Sequence, residues 1–220
     1  MARRVRKYWE HIGDARATDY RKYATAAGQA SLQWNLLHEA MGHIFLTVMG
    51  GGYIGQFAAV WGSLPSDRAK RSALIAALEA RQRSTVDPSP RQAEKVRAIK
   101  HLCGQAEALE IQRNNAVHVP LANVHHETSG AYETVLPDTL LRNPRALALE
   151  GKNILKEFRH CRDYARILGQ FAMDLDNAMS RGRPLPDRPK PPRRGEKKSG
   201  KRSRQQSHAE SARPPRSSQE

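Results

Sequence analysis

Arg113, Asn114 and His118 stand within six residues, "RNNAVH", and these side-chain types can together break a phosphodiester without a metal. A histidine titrates near neutrality and can take and return a proton. A guanidinium stays charged and stabilises the charge that builds on the phosphorus oxygens in the transition state. Asn114 is four positions before His118 and can hold its ring by a hydrogen bond. His118 falls in the last turn of a helix, where the dipole favours the protonated ring and should raise its pKa from about 6.5. The chemistry that fits is cleavage of a ribose–phosphate bond, with His118 as acid or base, Arg113 on the phosphate and Asn114 orienting.

An arginine with a histidine a few residues later is a weak signal in so basic a chain. The pattern recurs at Arg6…His11 and Arg202…His208. What distinguishes Arg113 is that it falls on an apolar helical stripe. An unpaired guanidinium there costs several kcal/mol, so it needs a partner or a water-filled cleft. Glu110, three residues back on the same face, offers a structural ion pair. The other reading is a cleft built for an anion.

Competing motifs carry less. "GGGYIG" at 50–55 has dinucleotide-binding spacing but follows a helix rather than a strand, so it reads as a helix stop. In "HEAMGH" His38 and His43 are five apart, about 140° around a helix, which two zinc ligands on one face cannot be. His38 lies on the apolar stripe and reads as a hydrogen-bonded core histidine. His118, His125, His126 and Glu127 lack a second pair at ligand spacing. Neither a metal nor another cofactor is expected. Cys103 and Cys161 fall on apolar helix faces and read as reduced, buried thiols.

The elements that must position Arg113 are helical. From Asp19 to Met49, residues including Ala27, Ser31, Trp34, His38, Met41, Phe45 and Val48 step by threes and fours, and "GGG" at 50–52 ends that helix. A short apolar segment, "YIGQFAAVWGSL", follows. Ser66 can cap a second helix that presents Ala69, Ala73, Ala76 or Ala77, and Leu78 inward. Ser89 and Pro90 open a third, whose stripe runs Val96, Ile99, Cys103, Ala106, Glu110, Arg113 and Val117 before Pro120. Residues 121–145 read as a loop or a small hairpin. The last helix steps unbroken through Ile154, Phe158, Cys161, Ala165, Leu168, Ala172, Leu175 and Met179. The predicted fold is all-α: an antiparallel bundle of four main helices at 17–182, with a basic arm at 1–16.

Net charge is +15, and residues 181–220 hold 13 Lys/Arg against 4 Asp/Glu. With seven prolines and no aromatics, this segment buries too little apolar area to offset its ordering entropy. A disordered Pro/Arg/Lys-rich tail is expected at 183–220, able to attract nucleic-acid backbones without reading sequence. No stretch is apolar enough for a membrane span, and no signal peptide opens the chain, so a cytoplasmic protein without a membrane partner is expected.

With "RNNAVH" at the end of a bundle helix, before a loop and a long final helix, the chain resembles the HEPN superfamily of small helical bundles. Their mark is an Arg, often followed by Asn, then a His five to seven positions after the Arg. Only this motif is specific; the rest of residues 15–180 matches as a helical pattern. The resemblance implies a homodimer in which the Arg and His of two copies meet and cleave RNA without metal, in toxin–antitoxin, abortive-infection or other defence settings where an antitoxin-like partner is found. It implies Arg113 on the scissile phosphate, His118 as acid or base, and Asn114 orienting. It equally allows a non-catalytic bundle serving interaction or nucleic-acid binding.

Overall fold

The computed structural model describes residues 18–50, 52–85, 89–117, 122–126, 131–135, 144–149 and 152–192, with only the main chain described in places. Among these, helix dominates: α1 Thr18–Met49, α2 Ile54–Ser63, α3 Asp67–Arg83, α4 Pro90–Val117, α5 Pro144–Leu147 and α6 Ile154–Ser180. The exception is one antiparallel pair, β1 Ala122–His126 and β2 Ala131–Val135, with Val124 opposite Glu133. Of the two forms expected for 121–145, this is the small hairpin. The single turn α5 has no counterpart in the sequence reading.

The ends of the helices follow from local chemistry. Gly50 takes φ +94°, a conformation that costs an L side chain, and α1 stops there. The Ser66 hydroxyl accepts from the Ala69 N–H at 3.1 Å, Ser89 Oγ from the Gln92 N–H at 3.3 Å, and Asn153 Oδ1 from the Lys156 N–H at 3.0 Å. Each satisfies a first-turn donor that the helix itself leaves unpaired.

The bundle is not antiparallel throughout. Contacts along α1 rise in step with those on α3: Trp34 bonds Asp67, His38 bonds Arg71, and the Thr47 and Val48 carbonyls accept from Arg81. They rise in step with α6 as well, Gln29 meeting Arg162 and Thr47 meeting Asp176. So α1, α3 and α6 run parallel. Helix α4 opposes them, with Arg71 paired to Glu110 and Glu79 to Lys100. The cause is α2. It folds back along α1, carrying the chain about 22 Å from Met49 to the level of Trp34, so that α3 starts again from the same end.

One close approach fixes that return. Trp61 of α2 is buried, 5.3 Å from Phe45 between ring centroids, and a Cβ on Gly42 would lie 2.8 Å from its indole nitrogen. Gly42→Ala must therefore push the indole aside. The expected cost is roughly 1–3 kcal/mol in urea unfolding, with altered tryptophan fluorescence; an unchanged midpoint and spectrum would contradict this packing.

The core lies between α1, α3, α4 and α6, with Trp34, Leu37, Leu74, Leu102, Phe158 and Leu168 all but inaccessible. On α3 the inward face differs from the expected alanines. Arg71, Leu74 and Leu78 are buried, whereas Ala76 is exposed and Ala73 and Ala77 are half-buried. The stripe passes through a charged residue, which hid its phase. Past residue 182, Arg183–Pro192 has neither helix nor strand, yet Leu185 packs against the core and the Arg183 carbonyl accepts from Arg91 at 2.6 Å. Arg183 and Leu185, in the segment expected as tail, are thus held against the bundle. The arm at 1–16 and residues 193–220 lie outside the described residues. No helix among the described residues is long and apolar enough to cross a membrane.

Candidate functional site: a polar cluster where three helices meet

The apolar stripe of α4 turns polar near its C-terminal end. Ala106 and Leu109 are buried, whereas Glu110, Arg113 and Asn114 are half-buried at the rim. Helix α1 faces them with Trp34 and His38, and α3 contributes Asp67 and Arg71. These contacts gather seven side chains from three helices around the buried Trp34–His38 turn.

Arg71 is the centre. It is 5% exposed, and its NH1 lies 3.1 Å from His38 Nε2, while NH2 makes a short ion pair with Glu110 Oε2. A guanidinium only donates, so His38 Nε2 accepts and the ring proton sits on Nδ1, which donates to the Trp34 carbonyl at 3.1 Å. His38 is therefore neutral, the hydrogen-bonded core histidine its stripe position implies. His43 is exposed, on another face.

Burial lowers the His38 pKa from 6.5, outweighing the backbone bond to Trp34 and the Asp67 charge, both of which raise it. A histidine whose folded pKa is depressed adds stability that is complete above its unfolded pKa, about 6.5, and is lost as pH falls through the folded value. Between pH 7 and 5 the melting temperature should drop more steeply for the parent than for His38→Gln. Parallel curves would show that His38 contributes nothing to the acid limb.

Trp34 links this network to Arg113. Its indole N–H donates to Asp67 Oδ2 at 2.5 Å, and its ring lies 4.6 Å from the His38 ring. The Arg113 guanidinium stands 5.7 Å from the centroid of the same indole, within range of a cation–π contact. Arg113 NH1 donates to Asn114 Oδ1 at 2.9 Å, and its Nε is buried with no hydrogen-bond partner among the described residues. The Glu110–Arg113 ion pair expected as a structural explanation does not form, because Glu110 is taken by Arg71. Asn114 engages Arg113.

His118 begins the segment after α4 and lies outside the described residues, as does Glu127. His125 and His126 fall in β1. The structure thus brings Arg113 and Asn114 together. It also adds Trp34, Asp67 and Arg71, which the sequence reading did not assign to a site. A signal for Arg71 was present: Asp67, Arg71, Leu74 and Leu78 step by four, three and four. Cys103 and Cys161 are buried and not joined in a disulfide, and burial pushes the Cys103 thiol up to about 12, which keeps it un-ionised and unreactive at neutral pH.

Electrostatically, the cluster holds two guanidiniums: Arg71 is paired with the Glu110 carboxylate, and Arg113 lies over the Trp34 ring face and bonds the Asn114 amide. Compared with known proteins, the chain matches no family model, no curated protein and no solved structure.

Proposed function

We propose that the chain is a metal-independent endoribonuclease of HEPN-like type that acts as a two-fold dimer. Arg113 seats the scissile phosphate and Asn114 fixes the guanidinium. His118 of one copy accepts the proton of the 2′-hydroxyl, whose oxygen attacks phosphorus. His118 of the other copy donates a proton to the departing 5′-oxygen, leaving a 2′,3′-cyclic phosphate and a 5′-hydroxyl. Two copies are needed because cleavage uses one base and one acid, and each chain has a single motif histidine. A toxin-like or defence role with an antitoxin-like partner is the setting that goes with this chemistry.

The observation that supports the reading is that Arg113 has no carboxylate partner among the described residues. Its carboxylate neighbour on α4 is committed to Arg71, and its own partners are an amide and an indole face. A non-catalytic interaction or nucleic-acid-binding module is the second reading, favoured by how fully the Trp34, His38 and Arg71 side chains are built into the core. Denaturing-gel cleavage of mixed RNA in EDTA, by the full chain beside His118→Ala, separates the two. The nuclease reading expects cleavage by the parent only, with equal helicity in both proteins. Inactivity of both, with Arg113→Ala mainly lowering the melting temperature, would favour the module.

A further inference from the structure

A second group of cations converges at the opposite end of the bundle, and the polar cluster does not use it. Arg81 at the end of α3 and Arg91 and Lys95 in the first turns of α4 stand near the C-terminus of α1. Arg81, Gln92 and Lys95 line a cleft of about 70 Å³ with Thr47, Val48 and Met179. Lys95 is half-buried there. Its pKa is lowered first by that burial and then by the Arg91 and Arg81 charges. None of the ion pairs Arg71–Glu110, Lys100–Glu79 and Arg162–Asp163 neutralises this group. Glu94 is exposed and one position from Lys95, so it points about 100° away around α4. Asp176 borders the cleft through Thr47, whose hydroxyl donates to it at 2.6 Å.

Clustering like charges, one of them half desolvated, costs stability; the carbonyls bound by Arg81 and Arg91 and the nearby Asp176 offset part of that cost, and an anion held by Lys95 would offset more. Two fixed features keep the cleft receptive. Arg81 NH1 is anchored to the Thr47 and Val48 carbonyls at 3.0 and 2.7 Å, and Arg91 NH2 to the Arg183 carbonyl, so these guanidiniums are positioned rather than free. The first turn of α4 adds a positive dipole end here, set against the C-terminal ends of α1, α3 and α6, which lie at the same end of the bundle.

We propose that Arg81, Arg91 and Lys95 form a phosphate-binding site for the backbone of single-stranded RNA, separate from Arg113. Lys95 lies about 27 Å from Arg113 along α4, so one strand of several nucleotides could bridge the two. The choice of RNA rests on the proposed nuclease reading; the anion site itself does not.

The test is fluorescence anisotropy of a fluorescein-labelled 20-nucleotide RNA with the full chain, all proteins carrying His118→Ala so that cleavage cannot interfere. Arg91→Glu with Lys95→Glu should weaken binding at least tenfold and lower the slope of log affinity against log salt by about 1.4, as expected for two lost single-strand phosphate contacts. Arg159→Glu with Arg166→Glu makes the same charge change on exposed α6 positions and should weaken binding less than threefold. Arg91→Gln with Lys95→Gln guards against misfolding by charge reversal and should lose affinity in the same direction. Equal losses from the two charge-reversed pairs, or none from the first, would overturn the site and leave the basic segment 193–220 as the RNA contact. Neither result depends on whether the parent cleaves.

Discussion

Arg71→Ala should destabilise as much as truncating a core aromatic, costing about 3–5 kcal/mol, as expected when one partner of a buried ion pair is removed. Its loss leaves the half-buried Glu110 carboxylate without its cation and His38 Nε2 without its donor, and it opens a void beside His38. For a body of this size the melting temperature should fall by roughly 10 °C. Arg71→Met with Glu110→Leu should recover part of that loss, because replacing both charges by apolar groups removes the desolvation cost along with the attraction. The acceptor on His38 would still be orphaned, so recovery is incomplete. Thermal melts of the three proteins by circular dichroism check this. A single mutant within about 1 kcal/mol of the parent, on the scale of an exposed pair, would mean that the Arg71 network does not hold the helices together.

Arg113→Ala should show the opposite profile, with a small stability change and a large functional one. Its described partners are an indole face at 5.7 Å and the neighbouring amide at 2.9 Å, together worth about 1 kcal/mol. If Arg113 seats the phosphate, its removal takes away charge stabilisation made in the transition state, a loss of about 10²–10³ in cleavage rate. Arg113→Lys keeps the charge but not the planar fork and should fall between. Single-turnover cleavage beside a melting curve separates the two roles. A variant that loses several degrees of melting temperature, without any RNA-dependent phenotype, would mark Arg113 as structural.

Much of the architecture was legible because it is periodic. The stripe through Phe158, Cys161, Ala165 and Leu168 specified α6, and Ser66, Ser89 and Pro90 marked where α3 and α4 begin. Helix direction was not legible. Nothing in the pattern of α1 and α3 says that α2 folds back between them and makes them parallel, because Trp61 reports its packing on Gly42 and Phe45 only in three dimensions. The site was read from one side. Arg113 stood out as a cation on an apolar face, but the one partner that the sequence could offer it was the nearest carboxylate on its own helix. The carboxylate is instead taken by Arg71, 39 positions from Glu110, and periodicity on one helix cannot reveal a partner on another. His38 was recognised as a core histidine because its own stripe is apolar. That its acceptor meets a buried arginine could come only from the fold.

In the proposed reaction, a histidine pair and an arginine cleave RNA by proton transfer. The most direct measurement is the chemistry of the product ends after incubation of RNA with the full chain in EDTA, beside His118→Ala. The expected result is 2′,3′-cyclic phosphates and 5′-hydroxyls from the parent, and intact RNA with the mutant. Ends bearing 3′-hydroxyls and 5′-phosphates, or cleavage by His118→Ala at the parent's rate, would contradict it.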